Sequence, residues 1–281
     1  MTALGLGLIA ALCWGIHDIT IRYLSRTVPL MAALLFVLIV GALFQTGVIL
    51  ATSTRVHLTP TALLLSMGAG LAFLVASLGL YYAFERGPVR LVAPVIASYP
   101  VLSLAFAVAF GATITPLQFL AVLAIVAGVG LVAALSDGSD ASYPPIGPTI
   151  ALSALSAVGF ASTFKLGQLA ADISGELSST LIARATALGL LLILMSLRRT
   201  TFWPGKAALL PLVVMGFLDG IALLAVISAA PLPNPEYAAV TSSMFGLLTI
   251  LLAWVFLRER MTLPQCGGCV LAFAGVGYLA L

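Results

Sequence analysis

The sequence predicts an all-α polytopic membrane protein of ten transmembrane helices, arranged as two inverted five-helix repeats. Three observations lead there. The first is composition. Of 281 residues, 62% are hydrophobic and 7% charged, with a mean hydropathy of +1.21, whereas a soluble domain carries about 25% charged residues. Such a chain cannot coat a folded surface in water. A net charge of +3 over this length is no basic patch, so an ordinary soluble enzyme, a disordered chain and a nucleic-acid binder are excluded. The second observation is a series of proline-punctuated apolar runs, and the third is an internal repeat.

A helix needs about 20 apolar residues to cross roughly 30 Å of hydrocarbon. Stretches of that kind lie at about 3–24, 29–52, 60–85, 88–111, 116–135, 148–170, 176–198, 206–230, 235–257 and 263–281. The first starts close to Met1, without a basic leader or a small-residue cleavage site, and reads as a retained span rather than a signal peptide. Pro29, Pro60, Pro88 and Pro116 open spans two to five. Pro148 opens span six, Pro204 precedes span eight, and Pro235 and Pro264 open spans nine and ten. Proline suits a first helical turn, where its missing N–H would have had no partner. Barrel strands would alternate apolar and polar residues, which Leu247–Phe256 does not do.

The repeat is explicit. Thr115-Pro-Leu-Gln118 followed by Ala127-Gly-Val-Gly130 matches Thr262-Leu-Pro-Gln265 followed by Ala274-Gly-Val-Gly277, at an offset of 147 residues. Ser98-Tyr99-Pro100 lies opposite Met244-Phe245-Gly246, and Gly15 opposite Gly159. The expected organisation is a first repeat over 1–135, an acidic Gly/Pro/Ser-rich linker over 136–147, and a second repeat over 148–281. An odd number of spans per repeat reverses the second copy, and the cations agree. Arg22, Arg26, Arg86 and Arg90 follow spans one and three; Arg198, Arg199 and Lys206 follow span seven, and Arg258 and Arg260 follow span nine. All nine then share one side, and only Arg55 falls on the other. The positive-inside rule makes the first side cytoplasmic and both termini external, in a bacterial-type inner (plasma) membrane. Inverted repeats point to a central site near the midplane and to alternating access.

Leu251–Gly268, running on to Ala274-Gly-Val276 and bearing Glu259 in its turn, together with Trp14-Gly15 in the first span, resembles the repeat of the drug/metabolite transporter superfamily in its ten-helix, EamA-type form. The resemblance covers the whole chain. It implies a carrier, and the overall pattern is most similar to bacterial exporters of aromatic and other neutral amino acids. Two departures stand out. The first repeat has Ala112 where the second has Glu259, and the membrane-embedded glutamate of the small four-helix multidrug members has Trp14 and Ala157 as its approximate counterparts. Proton-coupled cation antiport by that route is therefore not expected.

Polar groups in hydrocarbon cost about 2.5–3.5 kcal/mol each and need a reason to be there. His17 offers a hydrogen-bond partner for a substrate or a proton relay, since histidine exchanges a proton near neutral pH; the alternative is an interfacial imidazole bonded to backbone. Asp18 is expected to pair with Arg22 one turn on. Lys165 can attract a carboxylate or snorkel to the interface. Arg184 and Asp219 form the expected intramembrane charge pair, either structural or gating. Pro94 and Pro100 interrupt span four and free backbone carbonyls, which is tolerated where a helix lines a cavity. Tyr99, Phe245, Trp14, Phe164 and Tyr82 are candidates for an apolar substrate pathway, although Tyr81 and Tyr82 also suit an interfacial aromatic belt.

The partners implied are a small-molecule substrate and the lipid bilayer, with no nucleic acid. A monomer suffices, and a dimer remains compatible. No cofactor or metal is expected: Cys266 and Cys269 form a C-x-x-C without a second ligand pair, and Cys13 stands alone. His57 in a connector gives His17 no partner histidine, no nucleophile–base–orienter set is visible, and no phosphate-binding Gly-Lys-Ser/Thr loop occurs. An enzyme and an ATP-driven pump are thus disfavoured, as is a channel, for want of a filter-like loop. Small residues Gly268 and Gly275 in span ten, and Ala121 and Gly128 in span five, suggest close helix contacts outside the pathway. The leading expectation is a secondary exporter of small neutral metabolites. Another metabolite class or cationic drugs in the same fold is the alternative, with Asp219 the candidate carboxylate for the latter.

Overall fold

The repeated T-x-x-Q element proves to be a helix start. In both copies threonine and glutamine bond each other's backbone N–H, closing a capping box. Thr115 N–H donates to Gln118 Oε1 at 2.9 Å and Gln118 N–H to Thr115 Oγ1 at 3.2 Å. The copy at Thr262 and Gln265 gives 3.0 and 3.4 Å. These boxes open helices α6 (Pro116–Ala134) and α12 (Leu263–Leu279). A computed structural model describes residues 2–54, 58–109, 113, 115–135, 144–233 and 235–279. Arg55, His57, Ala112 and linker residues 136–143 lie outside the described residues.

The remaining helices are α1 (Ala3–Leu24), α2 (Leu30–Thr52), α3 (Pro60–Arg86), α4 (Val89–Ala97), α5 (Tyr99–Ala109), α7 (Ile146–Ser174), α8 (Glu176–Arg198), α9 (Leu209–Ile227), α10 (Glu236–Ser242) and α11 (Phe245–Leu252), the last running into a π turn at Ala253–Leu257. Among the described residues eight segments are long and apolar enough to cross a membrane, and Pro116–Val132 and Leu263–Leu279 add two shorter apolar helices. α4 with α5 make one crossing, and α10 with α11 another. Thr2 and Thr59 cap α1 and α3, and α2 and α8 both end on a left-handed residue, Ser53 and Arg199.

Helix pairing exchanges between the halves. α3 packs along α7 as α9 packs along α1; α3 lies on α8 as α9 lies on α2; α4 meets α11, and α6 meets α12. Close approach depends on small residues, which drive helix association in lipid. A Cβ on Gly128 would collide with the Gly268 carbonyl, and one on Gly275 would lie 2.7 Å from the Ala121 carbonyl oxygen. Gln265 Nε2 adds a bond to the Leu135 carbonyl at 3.0 Å. α6 and α12 thus form a tight pair with no residue in the central cavity described below.

The broken crossings differ from expectation. Pro94 stays inside α4, and Pro100 sits in the first turn of α5; the break falls between them, at Ser98. Its hydroxyl takes the Val95 carbonyl at 2.7 Å, and Ser243 does the same to Val240 at 2.7 Å where α10 gives way to α11. Serine hydroxyls compete for helical carbonyls and bend helices in this way. The second break contains no proline, yet both leave an aromatic residue, Tyr99 or Phe245, at the start of the following segment.

Candidate functional site

Where the broken helices cross α1, α3, α7 and α9, aromatic rings converge. Trp14 lies 5.5 Å from Phe164, 6.1 Å from Phe160 and 6.4 Å from Phe245, centroid to centroid. Tyr99 stacks on Phe245 at 6.5 Å and meets Phe164 edge-on at 5.3 Å. With Phe73, Leu34, Val37 and Leu80, these rings enclose a cavity that also receives His17, Asp18, Ser77, Tyr81 and Asp219. Its free space is about 20 Å³, room for roughly one water. A mostly apolar wall with a few converging polar groups is the usual make-up of a small-molecule site.

The polar groups are tied to one another. Arg184, fully buried, donates to Asp219 Oδ2 at 2.6 Å and lies 5.5 Å from the centroid of the Phe73 ring. Asp219 Oδ1 accepts the Trp14 indole N–H at 3.1 Å. Gly41 leaves room for the guanidinium, since a Cβ there would come within 2.7 Å of Cζ. The expected Arg184–Asp219 pair is therefore formed, and it positions Trp14 as well. Asp18 does not pair with Arg22. Its Oδ1 meets His17 Nδ1 at 2.9 Å, and His17 Nε2 meets the Tyr81 hydroxyl at 3.2 Å. Asp18 Oδ2 is buried without a partner. Tyr99 donates to the Ala239 carbonyl at 2.7 Å and contacts Ser242 Oγ at 2.5 Å, tying α5 to α10.

Of the expected pathway residues, Trp14, His17, Tyr99, Phe164 and Phe245 line this cavity. Tyr82 does not. Phe73, Ser77, Leu80 and Tyr81 share the inward face of α3, and Tyr82 points a further hundred degrees round the helix. The phase of Phe73 and Ser77 was the signal that favoured Tyr81. Lys165 lines a second, larger cavity with about 400 Å³ of free space. Phe164 belongs to both cavities and forms the wall between them. Thr113, Gln118, Pro235, Tyr237 and Leu279 place this vestibule at the helix ends on the terminus side. Lys165 is exposed there, beside Gln168, whose amide is bonded to the Val226 and Pro235 carbonyls.

The opposite, cation-rich side is fastened. Arg258 adopts a left-handed conformation after the π turn and presents Glu259 to its neighbours. Glu259 Oε1 accepts from Arg22 Nε and Nη2 at 3.3 and 3.2 Å, and Oε2 accepts the Val89 N–H at 2.9 Å. Arg22 Nη1 also donates to the Phe84 carbonyl at 2.8 Å. One carboxylate thereby joins the ends of α1, α3 and α11 to the start of α4. Sequence reasoning singled out Glu259 as part of a signature but missed this role, because its partners lie 237 and 170 residues away.

No cluster of His, Cys, Asp or Glu suited to a metal occurs among the described residues. Cys13, Cys266 and Cys269 are free thiols.

Comparison with known proteins agrees with this architecture. The family model described as "EamA-like transporter family" matches residues 1–134 and 147–281. No curated protein matches the chain. A crystal structure described only as that of a protein is similar over 98% of this chain and 95% of the other, with a TM-score of 0.72 and 20% identity; at that identity the likeness shows the fold alone.

Proposed function

The chain belongs to the EamA-like transporter family, and from that premise we propose that it is a secondary carrier, working without ATP, that exports small neutral organic metabolites by alternating access. Aromatic and other neutral amino acids are the proposed substrates. The observation that carries this reading is the asymmetry of access. On one side a vestibule of about 400 Å³ ends on Phe164; on the other, Arg22, Glu259 and Val89 close the bundle. An aromatic site lies between them. A carrier needs such a site reachable from one face at a time.

In this reading the cation-rich side is cytoplasmic, as its Lys and Arg residues favour. Substrate enters when the Glu259 contacts break, occupies the aromatic site, and leaves through the vestibule. The site holds about one water in the closed arrangement, so loading requires rings to part, and Phe164 in the shared wall is the ring that moves. Lys165 offers its ammonium to the substrate carboxylate on the way out. The Arg184–Asp219 pair keeps its geometry throughout, because separating buried partners would leave bare charges.

The test is counterflow. Purified protein in liposomes preloaded with unlabelled phenylalanine is expected to accumulate labelled phenylalanine transiently, with no ATP present, and unlabelled tryptophan or tyrosine should compete. Liposomes that move no neutral amino acid, with or without an ion gradient, would remove this function.

A further inference from the structure

The second carboxylate oxygen of Asp18 has no partner, although the residue is 1% exposed and lines the central cavity. His17 Nδ1 is bonded to Asp18 Oδ1 and Nε2 to the Tyr81 hydroxyl, which holds the imidazole between them. Asp219 is already engaged by Arg184 and Trp14, whereas one oxygen of Asp18 is left open. A buried polar atom without a partner costs free energy, and Asp18 lines a cavity with about 20 Å³ of free space.

From this we infer that Asp18 is the receptor for a substrate ammonium group, which makes the carrier selective for primary amines with an aromatic or apolar body. The inference rests on the proposed function and narrows it. An ammonium group is close to water in size and fits the cavity as it stands, whereas an aromatic ring does not. The substrate body would instead replace Phe164 between the cavity and the vestibule, beside Trp14 and Tyr99. In an α-amino acid the carboxylate sits on the same carbon as the ammonium group, so Lys165, next in sequence to Phe164, meets it only during passage through the vestibule. Head group and ring thus find their counterparts in Asp18 and in the aromatic cluster beside it.

The test is binding of three compounds with a common ring: phenethylamine, phenylalanine and 3-phenylpropionate, read by thermal shift and by competition with phenylalanine counterflow. The intact chain is expected to bind the two amines at least tenfold more tightly than 3-phenylpropionate. Asp18→Asn should erase that preference, with phenethylamine affinity falling at least tenfold, while Asp18→Glu retains it. Equal binding of all three by the wild-type chain would overturn the Asp18 assignment and leave the carrier reading standing. So would an Asp18→Asn protein that is folded and still prefers amines. Binding of none of the three would overturn the amino-acid carrier reading itself, and the Asp18 assignment with it. If Asp18→Asn does not fold, the ligand series on the wild-type chain decides by itself.

Discussion

Glu259→Gln isolates the closure on the cation-rich side. The carboxylate accepts from Arg22 through one oxygen and from the Val89 N–H through the other. An amide has only one acceptor oxygen, so either the Arg22 or the Val89 bond to residue 259 is lost, and the charge assistance goes in both cases. Hydrogen bonds to charged groups contribute about 1.5–3 kcal/mol and neutral ones about 0.5–1.5. The Arg22 and Glu259 side chains are 6% and 10% exposed, so solvent screens the pair little. A loss of about 2 kcal/mol follows, which raises the population open on this side roughly 30-fold. Leu80 lines the central cavity and is 4% exposed. A cysteine placed there, with Cys13, Cys266 and Cys269 replaced by serine, reports opening when inside-out vesicles meet a membrane-impermeant maleimide. The labelling rate should rise by an order of magnitude or more in Glu259→Gln and in Arg22→Gln, and the double variant should add little, as for two residues in one network. An unchanged rate in folded protein would refute the closure.

Further outcomes follow from the same contacts. Arg184→Met strands the buried Asp219 and should cost about 3–5 kcal/mol, read as a drop in melting temperature, and Arg184→Met with Asp219→Leu should recover most of it. Gly128→Ala meets the Gly268 backbone and should cost about 1–3 kcal/mol. Gly130→Ala, in the same motif but with nothing within 4 Å of the added carbon, should not lower the melting temperature and should raise it slightly, since alanine favours a helix over glycine. Lys165→Gln should raise the half-saturating concentration for phenylalanine several-fold and leave that for phenethylamine alone.

Much of the architecture was legible because its signals are local. The capping boxes at Thr115 and Thr262 are written in four consecutive residues, and the glycines and alanines that let α6 touch α12 follow at fixed spacing. Arg184 and Asp219 were legible for a different reason: two opposite charges in apolar helices have few alternatives to each other. The breaks in the fourth and ninth crossings were half legible. Proline marked the neighbourhood of the first, but serine hydroxyls take up carbonyls at both, and the second contains no proline. Asp18 was misread because Arg22 stands one turn away on the same helix, the usual partner for an acid. Arg22 is claimed instead by Glu259, and a pairing across 237 residues leaves no trace in a single sequence. Tyr82 was a pathway candidate, but the face of α3 that lines the cavity carries Phe73, Ser77, Leu80 and Tyr81, and the rotation of a helix that is apolar all round leaves little trace in its sequence.

Alternating access is tested most directly by fastening the cation-rich side reversibly. Cysteines at positions 22 and 259, in a chain lacking the native three, can be joined by a short bifunctional thiol reagent whose mixed disulfides a reductant cleaves. Labelled phenylalanine counterflow should stop on cross-linking and return on reduction. Counterflow that continues at full rate through fully cross-linked protein would contradict the account.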